Sequence, residues 1–311
     1  GARVVRGGST RRGVSTCDTA LFAPEPMSAA PLNAARVRRT FRNAFRSEGT
    51  RLFGWPFIRD YLALAWDSSR RWGAADPGTL EIAGCRIEYF NQSDALFLLH
   101  EIFVNGTYFF PTSNPAPRIL DCGANIGMAT MFFKALYPAA SITAVEPATE
   151  TFERLKLNVT SNHLRDVTLI NAAVAERDGS MVMHDHHSEP GSLIATTMGS
   201  AIGATRSVPA ITLSSLLERP ADFVKLDIEG AEYAVMRELV ASGRTRHVGQ
   251  LVLEFHDADT RAEELGRMIA ALGAAGMQVD RHDDPGGRTG TLRARSTASA
   301  ETDSDRAGRR G

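Results

Sequence analysis

Two groups of residues in this 311-residue chain have the types and spacing to do chemistry. The first is Asp121-Cys122-Gly123-Ala124-Asn125-Ile126-Gly127, followed 19 residues after Gly127 by Glu146. Glycines let a backbone come close to a bound ligand. An acid at the end of the next strand can accept both hydroxyls of a ribose. Together they point to an adenosine-containing cofactor. A dinucleotide fingerprint, G-x-G-x-x-G, seats a pyrophosphate on a helix N-terminus. Here Asn125 stands where its second glycine would be, and Asp121 sits at the mouth, where a carboxylate repels a pyrophosphate but suits an ammonium. S-adenosylmethionine carries an ammonium, a sulfonium and no phosphate, so the pattern favours it over NAD.

The second group is Lys225-Leu226-Asp227-Ile228-Glu229-Gly230-Ala231-Glu232 with Glu254-Phe255-His256. Strand alternation puts Lys225 and Asp227 on one side. Buried carboxylates are costly unless used or paired, so this is either a reaction site or a lysine–carboxylate pair. A proton acceptor could be His256, Asp227, Glu229 or one of His184, His186 and His187. His256 is favoured because it ends a strand and titrates near neutrality; a histidine capping the next helix is the other reading. The run His184-Asp185-His186-His187-Ser188-Glu189 holds metal-ligating types. They cannot share one face of a helix or strand, so a polar loop is expected and no metal.

These residues need elements to position them. Ile119 and Leu120 lead into Asp121, then come the glycine turn, an amphipathic stretch through Met128, Met131, Phe132, Ala135 and Leu136, and a second strand from Ser141 to Val145. That is one βαβ unit of a parallel sheet. Residues 167–174 read as a third strand ending in Asn171-Ala172-Ala173, whose small side chains leave room for an adenine. Residues 180–183 read as a short edge strand and 208–217 as a strand fragment then a helix. The runs before Asp227 and His256 make a fourth and a fifth parallel strand. Met277–Asp280 and Thr291–Arg295 close the chain as a hairpin. The fold class is α/β: a doubly wound, mostly parallel seven-stranded sheet with a reversed edge strand.

Before the sheet, residues 79–90 suggest a hairpin turning at Ala83-Gly84, and Ser93 suggests a cap for a helix ending at Asn105-Gly106. Thr260 and Glu263 suggest a capping box for a later helix. The predicted domains are a disordered segment 1–35, a helical and hairpin cap 36–115 leaning over the cofactor end, the catalytic domain 116–296 and a disordered tail 297–311. Tyr108, just before the first strand, either covers bound cofactor or packs in the core.

Net charge is −1, with 43% hydrophobic and 23% charged residues, so no global field suggests nucleic acid or a membrane surface. Three scattered cysteines, Cys17, Cys85 and Cys122, make no disulfide framework, which fits a reducing, cytoplasmic setting. No apolar run approaches the roughly 20 residues that span a bilayer. Residues 1–51 carry ten arginines and three acids, a composition expected to be disordered and also similar to a transit peptide.

The order of these motifs resembles the class I S-adenosylmethionine-dependent methyltransferases, a Rossmann-like fold, and more narrowly the FkbM family. The residues that carry this are the Asp121–Gly127 loop, Val145-Glu146-Pro147, Leu157-Asn158, Asn171-Ala172-Ala173-Val174, Gly191-Ser192-Leu193, the Lys225–Glu232 run and Glu254-Phe255-His256. The Lys225–Glu232 run is the most specific. The resemblance implies methyl transfer from S-adenosylmethionine, as a rule to a hydroxyl on a small metabolite, sugar, polyketide or lipid. It places Asp121, Gly123 and Gly127 at the methionine end, Glu146 at the ribose and Asn171 to Ala172 beside the adenine. Asp227 and Glu229 would face the sulfonium and the acceptor. The rival expectations are a non-catalytic protein of the same fold and, less favoured, an NAD-dependent oxidoreductase.

Overall fold

The computed structural model describes residues 45–71, 77–185, 195–196 and 204–297. The predicted disordered segment 1–35, residues 298–311 and the side chains of His184 to Ser192 lie outside them. In chain order come helices α1 (Glu48–Phe53) and α2 (Trp55–Arg71), the hairpin β1 (Gly78–Ile82) and β2 (Cys85–Tyr89), and α3 (Gln92–Leu99). The last helix widens into a π-helical turn, His100–Val104. The sheet then builds through β3 (Arg118–Cys122), α4 (Met128–Leu136), β4 (Ser141–Val145), α5 (Thr149–Ser161) and β5 (Val167–Ile170). A second, four-stranded sheet is made by β6 (Ala173–Ala175), β7 (Gly179–Asp185), β8 (Ala195–Thr196) and β9 (Ala204–Thr212). The chain returns through α6 (Leu213–Leu216), β10 (Ala221–Leu226), α7 (Glu232–Ala241), β11 (Val248–Phe255), α8 (Ala262–Ala274), β12 (Met277–Asp283) and β13 (Gly290–Ser296).

The main sheet has seven strands in the order β12-β13-β11-β10-β3-β4-β5. Strands β5, β4, β3, β10 and β11 run parallel, and β13 is antiparallel to β11 and β12. This is the predicted doubly wound, mostly parallel sheet with one correction: the reversed strand is β13, inserted one place in from the edge. Period-two alternation serves both faces. Ile119, Ile142, Phe223 and Val252 join one core, while Leu120, Val145, Val224 and Leu251 join the other. From β3 the order runs to β4 on one side and to β10 on the other, so a cleft opens at the carboxyl ends of these strands, where doubly wound sheets bind ligands.

Other expectations change. Residues 167–174 are not one strand. The Asn171 amide donates to the carbonyls of Glu146 (2.8 Å) and Pro147 (3.1 Å), and the chain leaves the main sheet there. Residues 180–183 fall in β7, where they pair with β9 alone, β8 pairing only with His184 and Asp185. The cap of α3 is Asn91, whose side chain accepts from the Asp94 amide, and not Ser93. The capping box at α8 does not form: the Thr260 hydroxyl donates to the Asp257 carbonyl and Glu263 pairs with Arg267. The hairpin at Ala83-Gly84 and the terminal hairpin form as predicted.

The segment before β3 shares one core with α4. Phe53 and Phe103 both meet the Phe132 ring edge-on, at 5.8 and 5.3 Å between centroids. Phe110 stacks on Phe223 at 4.3 Å. A single buried amide ties hairpin, glycine turn and α5 together. Asn158 donates to the carbonyls of Glu88 (3.0 Å) and Ile126 (2.8 Å) and accepts from the Glu88 amide (2.8 Å). Replacing Asn158 by Ala removes three hydrogen bonds worth about 0.5–1.5 kcal/mol each and leaves buried backbone groups unpaired. The expected loss is about 2–4 kcal/mol, read as a lower denaturation midpoint. An unchanged midpoint would refute the clamp. Among the described residues no helix is long and apolar enough to cross a membrane.

Candidate active site

The loop after β3 is built from left-handed residues: Gly123 (φ 75°), Asn125 (φ 50°) and Gly127 (φ 92°). Asparagine tolerates this conformation because its side chain bonds the local backbone, and the Asn125 Oδ1 accepts from the Ile126 amide (2.6 Å). Gly123 is required sterically as well, since a Cβ there would sit 1.7 Å from the Asp227 carbonyl oxygen. The loop is pinned to β4 by the amides of Gly123 and Ala124, which both donate to the Val145 carbonyl (3.0 Å).

Glu146 follows directly on β4 and is buried. Its Oε2 accepts from the Asn125 amide (3.0 Å) and its Oε1 from the Ala148 amide (2.9 Å). Burial pushes its carboxyl up to about 7, against the lowering effect of those two amides. A carboxylate has room for about four hydrogen bonds, so each oxygen can still accept from a hydroxyl.

The cleft between these elements is open to solvent and holds roughly 880 Å³ of space, open solvent included. Gly123, Asn125 and Glu146 line it from one half of the sheet, and Lys225, Asp227 and Glu229 from the other. Leu98 and Ile102 reach it from the α3 region. Neither was singled out from the sequence, where both look like ordinary core residues.

Several predicted site residues lie behind the wall instead of in it. Asp121 was expected at the mouth but is fully buried. Its Oδ2 accepts from the Thr130 hydroxyl (2.7 Å), and its Oδ1 has no hydrogen bond but lies 3.5 Å from the Lys225 ammonium. The cation that Asp121 suits is therefore already part of the chain. Lys225 Nζ also donates to the Gly123 carbonyl (2.7 Å) and lies 3.4 Å from Asp227 Oδ2. Burial works against this ammonium, but Asp227, Asp121 and Glu254 outweigh it and hold its pKa above the ordinary lysine value. Tyr108 is buried under the same group: its hydroxyl donates to Asp227 (3.2 Å) and Lys225 lies over its ring. Gly127 faces Leu155 and opens α4. Asn171 is the backbone clamp described above, and Ala172 is buried behind the cleft. The following residues, Ala173 and Val174, line it.

Glu229 is held in the left-handed region (φ 52°), an uncommon state for a residue with a side chain and one that concentrates at functional sites. Burial, then the charge of Asp227, pushes its carboxyl up to about 7, and His256 pulls the other way. His256 is not the isolated histidine that the sequence suggested as a base. Its Nδ1 lies 3.1 Å from Glu232 Oε1 and its Nε2 3.4 Å from Glu229 Oε2. Burial would lower its pKa, but Glu232, Glu229 and Glu254 raise it to about 10. At neutral pH it carries its proton already. Asp227, Glu229 and His256 each offer a ligand atom within 4.8 Å of the others. Their side chains also contact one another and Lys225, Tyr108 and Glu232. The His184–His187 side chains lie outside the described residues.

The chain has known relatives. A family model described as the methyltransferase FkbM domain matches residues 121–279. "Methyltransferase 1" of Beauveria bassiana (strain ARSEF 2860) is 27% identical over 165 residues, which is 46% of this chain and 66%, just under two thirds, of that protein. The "31-O-demethyl-FK506 methyltransferase FkbM" of Streptomyces tacrolimicus is 25% identical over 236 residues, 65% of this chain and 89% of that protein. Among solved structures, methyltransferase FkbM from Methylobacillus flagellatus KT is 12% identical, covers 78% of this chain and 60% of its own, and superposes with a TM-score of 0.43.

Proposed function

Because the chain belongs to the FkbM family of methyltransferases, whose cofactor is S-adenosylmethionine, we propose that it methylates a hydroxyl of a small metabolite, such as a sugar, polyketide or lipid. The observation that carries the hydroxyl is Glu229, a carboxyl on the wall of the cleft that burial pushes up to about 7. An alcohol must lose its proton as it attacks, and a base that titrates near the working pH is the efficient one.

The residues present fit the cofactor. Glu146 would take the ribose hydroxyls with the lone pairs its two amide partners leave free. The Gly123–Asn125 backbone would meet the methionine end, with Lys225 fixing the Gly123 carbonyl from behind. Ala173 and Val174 would border the adenine in place of the Asn171-Ala172 pair. When bound, the cofactor supplies a methyl carbon already activated by its sulfonium. The chain aligns the acceptor oxygen and keeps water out, the latter with Leu98, Ile102 and Val174. Glu229 would accept the proton that the acceptor hydroxyl gives up. Asp227 is tied down on the same wall by Lys225 and Tyr108.

The test is calorimetric titration with S-adenosylmethionine, followed by a radiolabelled-methyl screen of hydroxylated metabolites and matched amines. Micromolar binding and label in an ether product are expected. Label only in amine products would overturn the hydroxyl assignment, and no cofactor binding would favour a non-catalytic protein of this fold.

A further inference from the structure

Resting on the reading of Glu229 as the base, we propose that Glu232 and His256 are a positioning pair: a buried carboxylate that keeps a histidine charged, and a charged histidine that holds the Glu229 carboxylate against the cleft.

The geometry favours the charged form of the histidine. A neutral imidazole has one N–H and can satisfy one carboxylate; only the imidazolium has two donors. Both His256 nitrogens face carboxylate oxygens, Glu232 Oε1 at 3.1 Å and Glu229 Oε2 at 3.4 Å. Glu232 in turn needs that cation. It is fully buried, and its Oε2 has no hydrogen bond. An ionised carboxylate so placed is tolerated only beside an opposite charge.

One oxygen links the two halves of the arrangement. Glu232 Oε1, on the first turn of α7, accepts from the Gly230 amide (2.8 Å) as well as facing His256. Gly230 is the neighbour of Glu229 in the strained turn after β10, where both residues have positive φ. The histidine sits beyond the end of β11, with its carbonyl accepting from the Tyr233 hydroxyl (2.8 Å). Arg261 packs over the Tyr233 ring at 4.0 Å. Turn, helix and strand are thus fixed to one another at the Glu232 carboxyl, and the ring has little freedom to leave Glu229.

The groups facing this pair from neighbouring elements act consistently. Glu254 on β11 and Glu229 on the turn add to the attraction of Glu232 for the His256 proton. Asp227, Glu232 and Lys225 act on Glu229 alongside His256, Asp227 and Glu232 raising its carboxyl and Lys225 and His256 lowering it. Burial, then Asp227, pushes Glu254 well above the usual carboxylate range.

The experiment is an NMR titration of the full chain without ligand: ring nitrogens in ¹⁵N-histidine protein and side-chain carboxyls in ¹³C-glutamate protein. Wild type is compared with Glu232→Gln and His256→Asn, and signals are assigned by their loss in His256→Asn and Glu229→Gln. In wild type, His256 should show the doubly protonated ring at pH 7 to 8. In Glu232→Gln its midpoint should fall by about two pH units, a 100-fold easier proton loss. The Glu229 midpoint should rise above about 7 in His256→Asn, which removes the cation beside it, whereas Glu232→Gln removes a charge that raises Glu229 and leaves the histidine protonated near pH 7. A purely structural pair would leave the Glu229 midpoint in place. A neutral His256 at pH 7 in wild type would overturn the proposal, as would an unmoved Glu229 midpoint in His256→Asn. A Glu229→Gln protein that kept full turnover would remove the base role and leave this coupling intact, so the two failures are told apart.

Discussion

Replacing Glu229 by Gln should cut turnover by about 10²–10⁴-fold, the usual contribution of a general base, while S-adenosylmethionine binding stays within a few-fold of wild type. Glutamine keeps the size of the side chain and an oxygen that can face His256, so the strained turn should survive. What it removes is the ability to take a proton at the cleft wall. The sign of the pH dependence follows from the carboxyl at about 7. The base is the ionised form, so wild-type turnover should fall about tenfold per pH unit below 7 and level off above it. In Glu229→Gln that limb should vanish along with the activity. His256→Asn should behave differently, with reduced turnover whose limb persists but moves to higher pH. Pre-steady-state and pH–rate measurements on an acceptor found by the methyl screen would check both. A Gln variant with wild-type turnover would end the assignment of Glu229 as the base.

The difference between those two residues shows what the sequence can and cannot convey. The loop from Asp121 to Gly127, the acid at Glu146 and the order of elements around them are legible because they depend on local rules. Glycines mark a turn needing positive φ, apolar period marks helix or strand, and an acid after a strand marks a ligand end. The sheet follows from the same patterns, apart from the insertion of β13 inside the edge, since a hairpin does not announce which of its strands pairs inward. The roles of single polar residues are not local. His256 looks like a base until Glu232, 24 positions away, is found against its Nδ1. Asp121 looks like a cofactor ligand until Lys225 fills its need for a cation. Tyr108 is tied to Asp227 across 119 positions. Asn171 looks like an adenine neighbour, yet it spends its amide on the backbone of Glu146 and Pro147. In each case the residue type announces a polar role, and only a partner brought in by the fold decides whether that role faces the cleft or the core.

Glu146→Gln should weaken S-adenosylmethionine binding by about 100-fold or more, since a hydrogen bond to a charged group contributes roughly 1.5–3 kcal/mol and a ribose offers two hydroxyls. The same change should leave the ligand-free protein no less stable at pH 8. The sign can be worked through. Burial raises the Glu146 carboxyl from 4.5 to about 7 in the folded chain. A group whose folded pKa exceeds its unfolded value holds a proton in the fold that the unfolded chain has lost between those two pH values. Its contribution to stability is present below the unfolded pKa and is lost as pH rises through about 7. The displacement corresponds to on the order of 3 kcal/mol. Glutamine avoids that loss at pH 8, although it must set one amide N–H against the backbone donors of Asn125 or Ala148. Cofactor binding runs the opposite way. Hydroxyl donors favour the ionised carboxylate, so wild-type affinity should rise between pH 6 and 8, and binding at pH 6 should release up to one proton. Calorimetry in buffers of different ionisation enthalpy measures that proton directly. Glu229 titrates in the same range, so the decisive comparison is made in a Glu229→Gln background: the proton release should remain there and disappear when Glu146→Gln is added. Unchanged affinity in Glu146→Gln, or proton release that persists without the Glu146 carboxyl, would remove this residue from the ribose site.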